Sequence, residues 1–385
     1  MTSSKPSSRQ GLVMLTSKKY NVLIADPGDH AHYSELAKQF PLVITQTGEE
    51  AKKAVLDQSQ YFSAAFLHPI LTKPGLIQTI SLLRKHRPVT PLYVLFDEDP
   101  PFSQTELYRL AVIESIQKPL TLPILKNKIS VQALCYEIPE QPLAPPNTDD
   151  PSFIPVAISD LLNGTPSFCD IFVHLPSGRK VKVLEAQDTL IPERALTYLS
   201  KGVPYFYIKR DIQKRLLSYC DLLWNTLILK PDVSFEIKVS ETLNQGQSVV
   251  ELIHAKGLDN ENLESVSKFL MNVSVLVTNF KLDQQKTVQT ILSNLQAYDH
   301  AIATTMVASL LAKPLRIESQ KASETIGLAS FLHDIALYKL SSNAQTHDIS
   351  IMREDERKSY YEHPIAGADI VSKFEDIDPM VVQAI

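Results

Sequence analysis

Short apolar runs alternate with amphipathic stretches from Tyr20 to Leu120, and this rhythm stops at PEQPLAPPNTDDPS. That run carries five prolines and two adjacent acids, so it continues neither a helix nor a strand ladder. It closes one folding unit and stiffens the connection to the next. Before it, the runs YNVLIAD, PLVITQ, FSAAFLHP, PLYVLFDED and VIESIQKPL are separated by helical stretches over residues 30–40, in EEAKKAVLDQ, in IQTISLLRKH and, before the last run, by a further helix. Strands and helices in strict alternation predict a parallel sheet covered by helices on its faces, here five-stranded and doubly wound α/β.

Beyond the break the pattern changes twice. DIFVHLPSGRKVKVLEA reads as two alternating strands joined by Pro176, Ser177 and Gly178, a hairpin, and YFYIKR adds another strand. A small α+β module is therefore expected over 153–212. From Ile212 the chain turns helical, with apolar residues every three or four positions in LLSYCDLLWNTLIL and LESVSKFLMNVSVLVTNF. Trp224 lies on that stripe and reads as a core residue. A chain of 385 residues is too long for one core. The division expected is a disordered tail (1–17), an α/β domain (18–138), a proline-rich linker (139–152), the α+β module (153–212), a helical connector (213–283) and an all-α bundle (284–385).

Apolar residues at 44% and charged ones at 21% describe a chain able to bury cores. A net charge of -5 argues against nucleic acid as the partner, because phosphate binders display a basic face. Lys209, Arg210, Lys214 and Arg215 read as a solvated helix face. Cys135, Cys169 and Cys220 are odd in number and widely spaced, which suggests thiols in a reducing compartment and a cytoplasmic protein. No stretch approaches the ~18 apolar residues of a membrane span, so no membrane insertion is expected.

In a doubly wound sheet, function gathers at the carboxyl ends of the strands. Those positions are Asp26, His68, Phe96 and the pair Lys118 and Pro119. The strand rhythm and the Lys-Pro pair make residues 18–135 resemble a receiver domain of two-component signalling. The resemblance places His68 where receivers carry the phosphoacceptor aspartate, and Phe96 where they carry a switch Ser or Thr. Aspartyl phosphorylation is therefore not expected. Asp26, with Asp29 as a neighbour, leaves a Mg²⁺ pocket underfilled, because that ion wants several oxygen ligands. The module is expected to serve docking or dimerisation, with Asp26, His68 and Lys118 as remnants of a receiver pocket.

The α+β module gathers no convergent carboxylates, histidines or glycine-rich loop, which favours a sensory or packing role, and His174 reads as structural. Chemistry concentrates in the last hundred residues. Three helical segments, QAYDHAIATTMVASLLAKP, SETIGLASFLHDIALYKL and SYYEHPIAGADIV, carry His300, the adjacent His333 and Asp334, and His363. Their spacing lets each helix run out and the next return, so that all four polar groups meet in a bundle. Phe331, Leu332 and Ile335 put Asp334 among core residues, where a carboxylate calls for a cation. Imidazole and carboxylate together suit Fe, Mn or Zn in a mono- or dinuclear site, the kind of centre that activates water against a phosphodiester.

His300, FLHDIA and EHPIAG in that order resemble the HD-GYP subgroup of the HD superfamily, over about residues 285–385. GVPYFYIKRD likewise resembles the short modules that precede some of its domains. The resemblance implies that His300, His333, Asp334 and His363 are metal ligands of a di-iron or di-manganese phosphodiesterase acting on cyclic di-GMP or another cyclic dinucleotide. His333 and Asp334 would be its catalytic pair, and Gly367 would allow close helix packing. Gln296 stands where some members carry a glutamate ligand to a third metal, and Ala336 and Leu337 replace the Gly-Lys of HDIGK. The HHE and GYP segments are absent up to Ile385, which implies an incomplete domain with little or no activity of its own. The alternatives are a non-catalytic signalling scaffold that responds to a cyclic dinucleotide, binding protein partners or a second copy, and a nucleotide phosphohydrolase on the same fold.

Overall fold

The computed structural model describes residues 20–385 apart from 29, 32, 130–149, 176, 232, 279–294, 296, 297, 313, 318 and 341–347. The expected tail, most of the linker, the boundary near 283, Asp29, Cys135 and Gln296 lie outside the described residues. The chain divides into two compact units, the first made of residues 1–46, 50–68 and 80–219 and the second of 47–49, 69–79 and 220–385.

The first unit contains two sheets. Strands β1 (Tyr20–Ala25), β2 (Leu42–Thr45), β3 (Tyr61–Leu67), β4 (Leu92–Phe96) and β5 (Glu114–Gln117) pair in parallel in the order β2-β1-β3-β4-β5. Every residue of β3 is buried, as the centre of a parallel sheet requires. The pairings Ala25 with Leu67 and Phe96 with Gln117 bring the residues that follow these strands to one edge. The helices are α1 (Tyr33–Ala37), α2 (Gly48–Leu56), α3 (Leu76–His86), α4 (Gln104–Arg109) and α5 (Leu122–Lys128). Helix α1 is shorter than the stretch 30–40 suggested, because the amides of Gln39 and Phe40 both turn back to the Leu36 carbonyl before Pro41. Val22, Ile24, Leu36, Phe66 and Leu95 share one core on this sheet.

The second sheet is antiparallel in the order β6-β9-β7-β8, from β6 (Phe153–Ala157), β7 (Ile171–His174), β8 (Lys180–Leu184) and β9 (Tyr205–Lys209). The hairpin β7–β8 turns at Gly178, whose φ of +81° is a conformation that side-chain-bearing residues resist. Helices α6 (Ile158–Leu161) and α7 (Pro192–Ser200) accompany it, and Tyr20, Tyr61 and Val89 join its core. His174 is exposed, with its ring edge-on to Tyr207.

Helix α8 (Arg210–Thr226) carries the chain onward, and the second unit is helical: α9 (Phe235–Lys256), α10 (Asn260–Thr278), α11 (His300–Ala312), α12 (Gln320–Leu332), α13 (Glu354–Val371) and α14 (Pro379–Ala384). Leu243, Phe269, Ile302, Phe331, Leu332 and Val371 belong to one core. Trp224, expected inside a core, is only partly buried and stands outside that cluster. No helix among the described residues is long and apolar enough to cross a membrane.

Helix α9 also buries polar side chains, and residues 69–79 explain why. The Leu71 carbonyl accepts from Ser240 Oγ at 3.3 Å and from Asn244 Nδ2 at 3.1 Å, while the Lys73 amide donates to Asn244 Oδ1 at 3.0 Å. The Leu76 amide, at the start of α3, donates to Glu241 Oε1 at 2.9 Å. Irregular backbone can be buried only where its polar groups find such partners. Burial pushes the Glu241 carboxyl up to about 7 against the hydrogen bonds from the Leu76 and Ile77 amides. Gly75 makes this approach possible, because a Cβ there would lie 2.4 Å from Asn244 Nδ2 and 2.8 Å from Glu241 Oε1.

Another glycine of α9 is a packing constraint. A Cβ on Gly246 would stand 2.7 Å from Cε2 of the fully buried Phe269 ring, with Ile302 on the other side at 3.2 Å. Alanine gains about 1 kcal/mol in helix propensity over glycine, but overpacking a closed core costs about 1–3 kcal/mol. Gly246→Ala is therefore expected to lower the melting temperature of the second unit. A melting temperature above that of the parent in a calorimetric scan would contradict this account of the packing.

Candidate metal centre

Two helix ends and the interior of a third helix build the site. His300 is the first residue of α11, and the residue before it, Asp299, caps that helix by accepting the Ala301 amide at 3.0 Å. The Asp299 amide donates to Gln247 Oε1 at 3.2 Å, and Tyr298 donates its hydroxyl to Asn244 Oδ1 at 2.9 Å. The start of α11 is thus tied to α9. His333 terminates α12, where helix carbonyls lack further amide partners, and its Nδ1 lies 2.9 Å from the Ser330 carbonyl. Asp334 follows in the turn. His363 sits within α13, and its Nδ1 meets the Tyr360 carbonyl.

These placements bring all four side chains together. Asp334 Oδ2 is 3.0 Å from His333 Nε2 and 4.0 Å from His300 Nε2, and Oδ1 is 3.1 Å from His363 Nε2. One potential ligand atom each from His300, His333 and Asp334 lies within 4.8 Å of the others. The Asp334 side chain is 6% exposed, those of His363 and His333 are 15% and 27% exposed, and that of His300 is 58% exposed, so the carboxylate is the floor and His300 the rim.

The tautomers follow from the carbonyls. A carbonyl oxygen only accepts, so Nδ1 of His333 and of His363 carries the proton, and each Nε2 presents a lone pair to the carboxylate. Lone pairs facing a carboxylate oxygen at 3.0 and 3.1 Å need a cation between them, either a proton or a metal ion. Histidines oriented through the remote nitrogen onto a carbonyl are what metal sites use. Burial works against a charged His333, but the hydrogen bond and charge of Asp334 outweigh it, with help from the Ser330 carbonyl and Asp299, and hold this histidine above its ordinary value. The donor set fits a divalent cation.

The neighbours set limits. Leu337 is 1% exposed, so its side chain is committed to packing and offers no charge to an anionic group. A Cβ on Gly367 would lie 3.3 Å from Ile385 and 3.5 Å from Ile335, which makes this glycine the close-packing point between α13 and its neighbours. Asp299, Tyr338, whose hydroxyl lies 3.4 Å from Asp299 Oδ1, and the carbonyls of Ser330 and Tyr360 were not singled out by sequence reasoning. Asp299 had a signal, being the acid directly before the first histidine.

A second polar cluster occupies the carboxyl edge of the parallel sheet. Asp26 is fully buried and accepts from Tyr33 Oη at 2.6 Å, from the Gly28 amide at 3.0 Å and from Lys118 Nζ at 3.2 Å. Lys118 Nζ also lies 3.4 Å from Asp97 Oδ1, and His68 Nε2 lies 2.9 Å from Asp97 Oδ2. Burial would raise the Asp26 carboxyl, but Tyr33, the Gly28 amide, His68 and Lys118 hold it below the ordinary aspartate value. Burial, aided by Lys118, holds His68 below its ordinary value against the pull of Asp26 and Asp97. Asp29, offered by the sequence as a neighbour of Asp26, lies outside the described residues; among those described, Asp97, the residue directly after β4, shares Lys118 with Asp26. An ammonium already lies between the two carboxylates, where a divalent cation would have to compete with it.

No family model matches the chain, and no curated protein matches it. Among solved structures, a protein described as HDG"Y"P from Bdellovibrio bacteriovorus aligns over 60% of this chain and 75% of that chain, at 19% identity and a TM-score of 0.36. An adenylate cyclase from Rhodopirellula baltica aligns over 28% of this chain and 83% of that chain, at 18% identity and a TM-score of 0.25. At such scores neither likeness carries weight, and the chemistry rests on the side chains described above.

Proposed function

We propose that the helical unit is a divalent-cation centre of the HD-GYP kind, in a signalling protein whose ligand is a cyclic dinucleotide such as cyclic di-GMP. One observation carries the reading: two imidazole Nε2 lone pairs converge on the two oxygens of one buried carboxylate, with a third imidazole at the rim. His333, Asp334 and His363 would hold Fe or Mn, and His300 would complete the shell. A carboxylate flanked by imidazoles would suit either one such ion or a pair of them. Such a centre supplies a polarised phosphoryl oxygen and an activated water. This chain's residues orient the donors and bury the carboxylate. They place no cation at position 337, so the centre is expected to hydrolyse a bound phosphodiester slowly.

A scaffold reading draws on the other cluster. Lys118 between Asp26 and Asp97 offsets one of the two carboxylate charges and stands where a metal would have to sit, an arrangement that suits a docking or dimerisation module better than phosphoryl transfer. The two readings separate in one experiment. Protein loaded with Mn²⁺ is titrated with cyclic di-GMP in a calorimeter, and the mixture is then assayed for the linear dinucleotide and GMP. Binding with slow product formation supports the proposal. Binding without product supports the scaffold, and no binding by Mn²⁺-loaded protein defeats both forms of the cyclic-dinucleotide reading. Hydrolysis of deoxynucleoside triphosphates instead would reassign the centre to nucleotide phosphohydrolysis.

A further inference from the structure

Pro364 lies inside helix α13, immediately after His363. Proline in a helix interior removes the amide that would bond the carbonyl four residues back, and its ring crowds that carbonyl. Four residues back from 364 is Tyr360. The Tyr360 carbonyl is the group that receives Nδ1–H of His363. A histidine in an uninterrupted helix would have to compete for this oxygen with the amide of position 364; here that amide does not exist. His333 obtains the same i−3 carbonyl contact without a proline, because it stands at the end of α12, where carbonyls are spare in any case.

The geometry points to Pro364 as a positioning residue for the metal centre: by removing one backbone donor it reserves the Tyr360 carbonyl for His363, fixes that ring as its Nδ1–H tautomer and aims Nε2 at Asp334. This rests on the proposal that the four side chains hold a cation, and it adds a residue that touches neither metal nor substrate. The helix would gain by losing the proline, so local helix stability does not account for its presence at this position. His363 Nε2 stands 3.1 Å from Asp334 Oδ1, a distance that needs the ring held in this rotamer.

The test compares the full chain with its Pro364→Ala and Pro364→Ser variants, both of which restore the amide. Mn²⁺ affinity is measured by titration, stability by melting, and the imidazole tautomers of the metal-free protein by long-range ¹H–¹⁵N spectra. The expected result is a melting temperature equal to or above the parent's, a His363 signal that moves from the Nδ1–H form to a tautomer mixture, and Mn²⁺ binding weakened about 10–100-fold, the usual loss when a ligand's orienting partner is removed. An unchanged His363 tautomer in both variants would overturn the inference, as would unchanged Mn²⁺ affinity in a parent that binds the ion. If the parent binds no Mn²⁺ yet its His363 tautomer depends on Pro364, the metal reading fails while the positioning effect stands.

Discussion

Arg84→Met is expected to destabilise the first unit by about 3–5 kcal/mol, among the largest effects a single side chain can have here. Arg84 is completely buried on α3, and its guanidinium is held by backbone carbonyls. Nε donates to the Leu110 carbonyl at 3.3 Å, Nη1 to the carbonyls of Pro88 and Thr90 at 3.0 and 2.8 Å, and Nη2 to that of Ala111 at 2.6 Å. The guanidinium carbon lies 5.4 Å from the centre of the Phe168 ring, and that contact couples it to the second sheet. Methionine fills much of the volume but leaves these carbonyls without a donor, at about 1–3 kcal/mol for each that finds no water. Arg84→Lys is no rescue, since a single ammonium cannot reproduce a planar fork that spans two turns of chain. Denaturant unfolding with hydrogen exchange on β4 and β5 measures the loss, and a change under about 1 kcal/mol for Arg84→Met would show that water replaces the guanidinium.

Much of this arrangement was legible as pattern, because the alternation of strands and helices is set by local periodicity. The parallel sheet followed from that alternation, and the hairpin from its Gly178 turn, whereas the order of the strands is seen only in the structure. What the pattern left out was long-range pairing. Asp97 was not singled out within the run PLYVLFDED, yet it is the partner of His68 and shares Lys118 with Asp26. Residues 69–79 read as the connection between a strand and a helix of one sheet; they belong instead with the helical unit, where Asn244 binds Leu71 and Lys73 on one side and Tyr298 on the other. Polar residues inside an amphipathic helix give no hint of which backbone they will satisfy, since that depends on a chain segment some 170 residues away. The four donors of the centre stood out because histidines and an aspartate among apolar residues are costly unless they meet. The carbonyls that aim them carry no side-chain signature, and only Pro364 leaves a trace of one in the sequence.

Asp334→Asn should separate the two cations that this carboxylate attracts. With Mn²⁺ as probe, the variant is expected to bind at least about 100-fold more weakly, because an amide keeps the shape but removes the anionic charge on which His333 and His363 converge. In metal-free protein the proton takes the ion's part. His333 titrates above its ordinary value chiefly because the Asp334 hydrogen bond and charge overcome burial, so the variant's His333 should titrate lower, with burial less opposed. The sign for stability follows. A histidine raised in the folded state contributes stability that is fully present below its unfolded value and is lost as pH rises through the raised folded value. Metal-free parent protein should therefore exceed the variant in melting temperature most in mild acid, with the gap narrowing toward alkaline pH. Mn²⁺ binding by the parent should run the other way, weakening as protons claim His333. An Asp334→Asn protein that binds Mn²⁺ like its parent, or a His333 titration that the substitution leaves in place, would mean that the three imidazoles and the carboxylate do not act as one site.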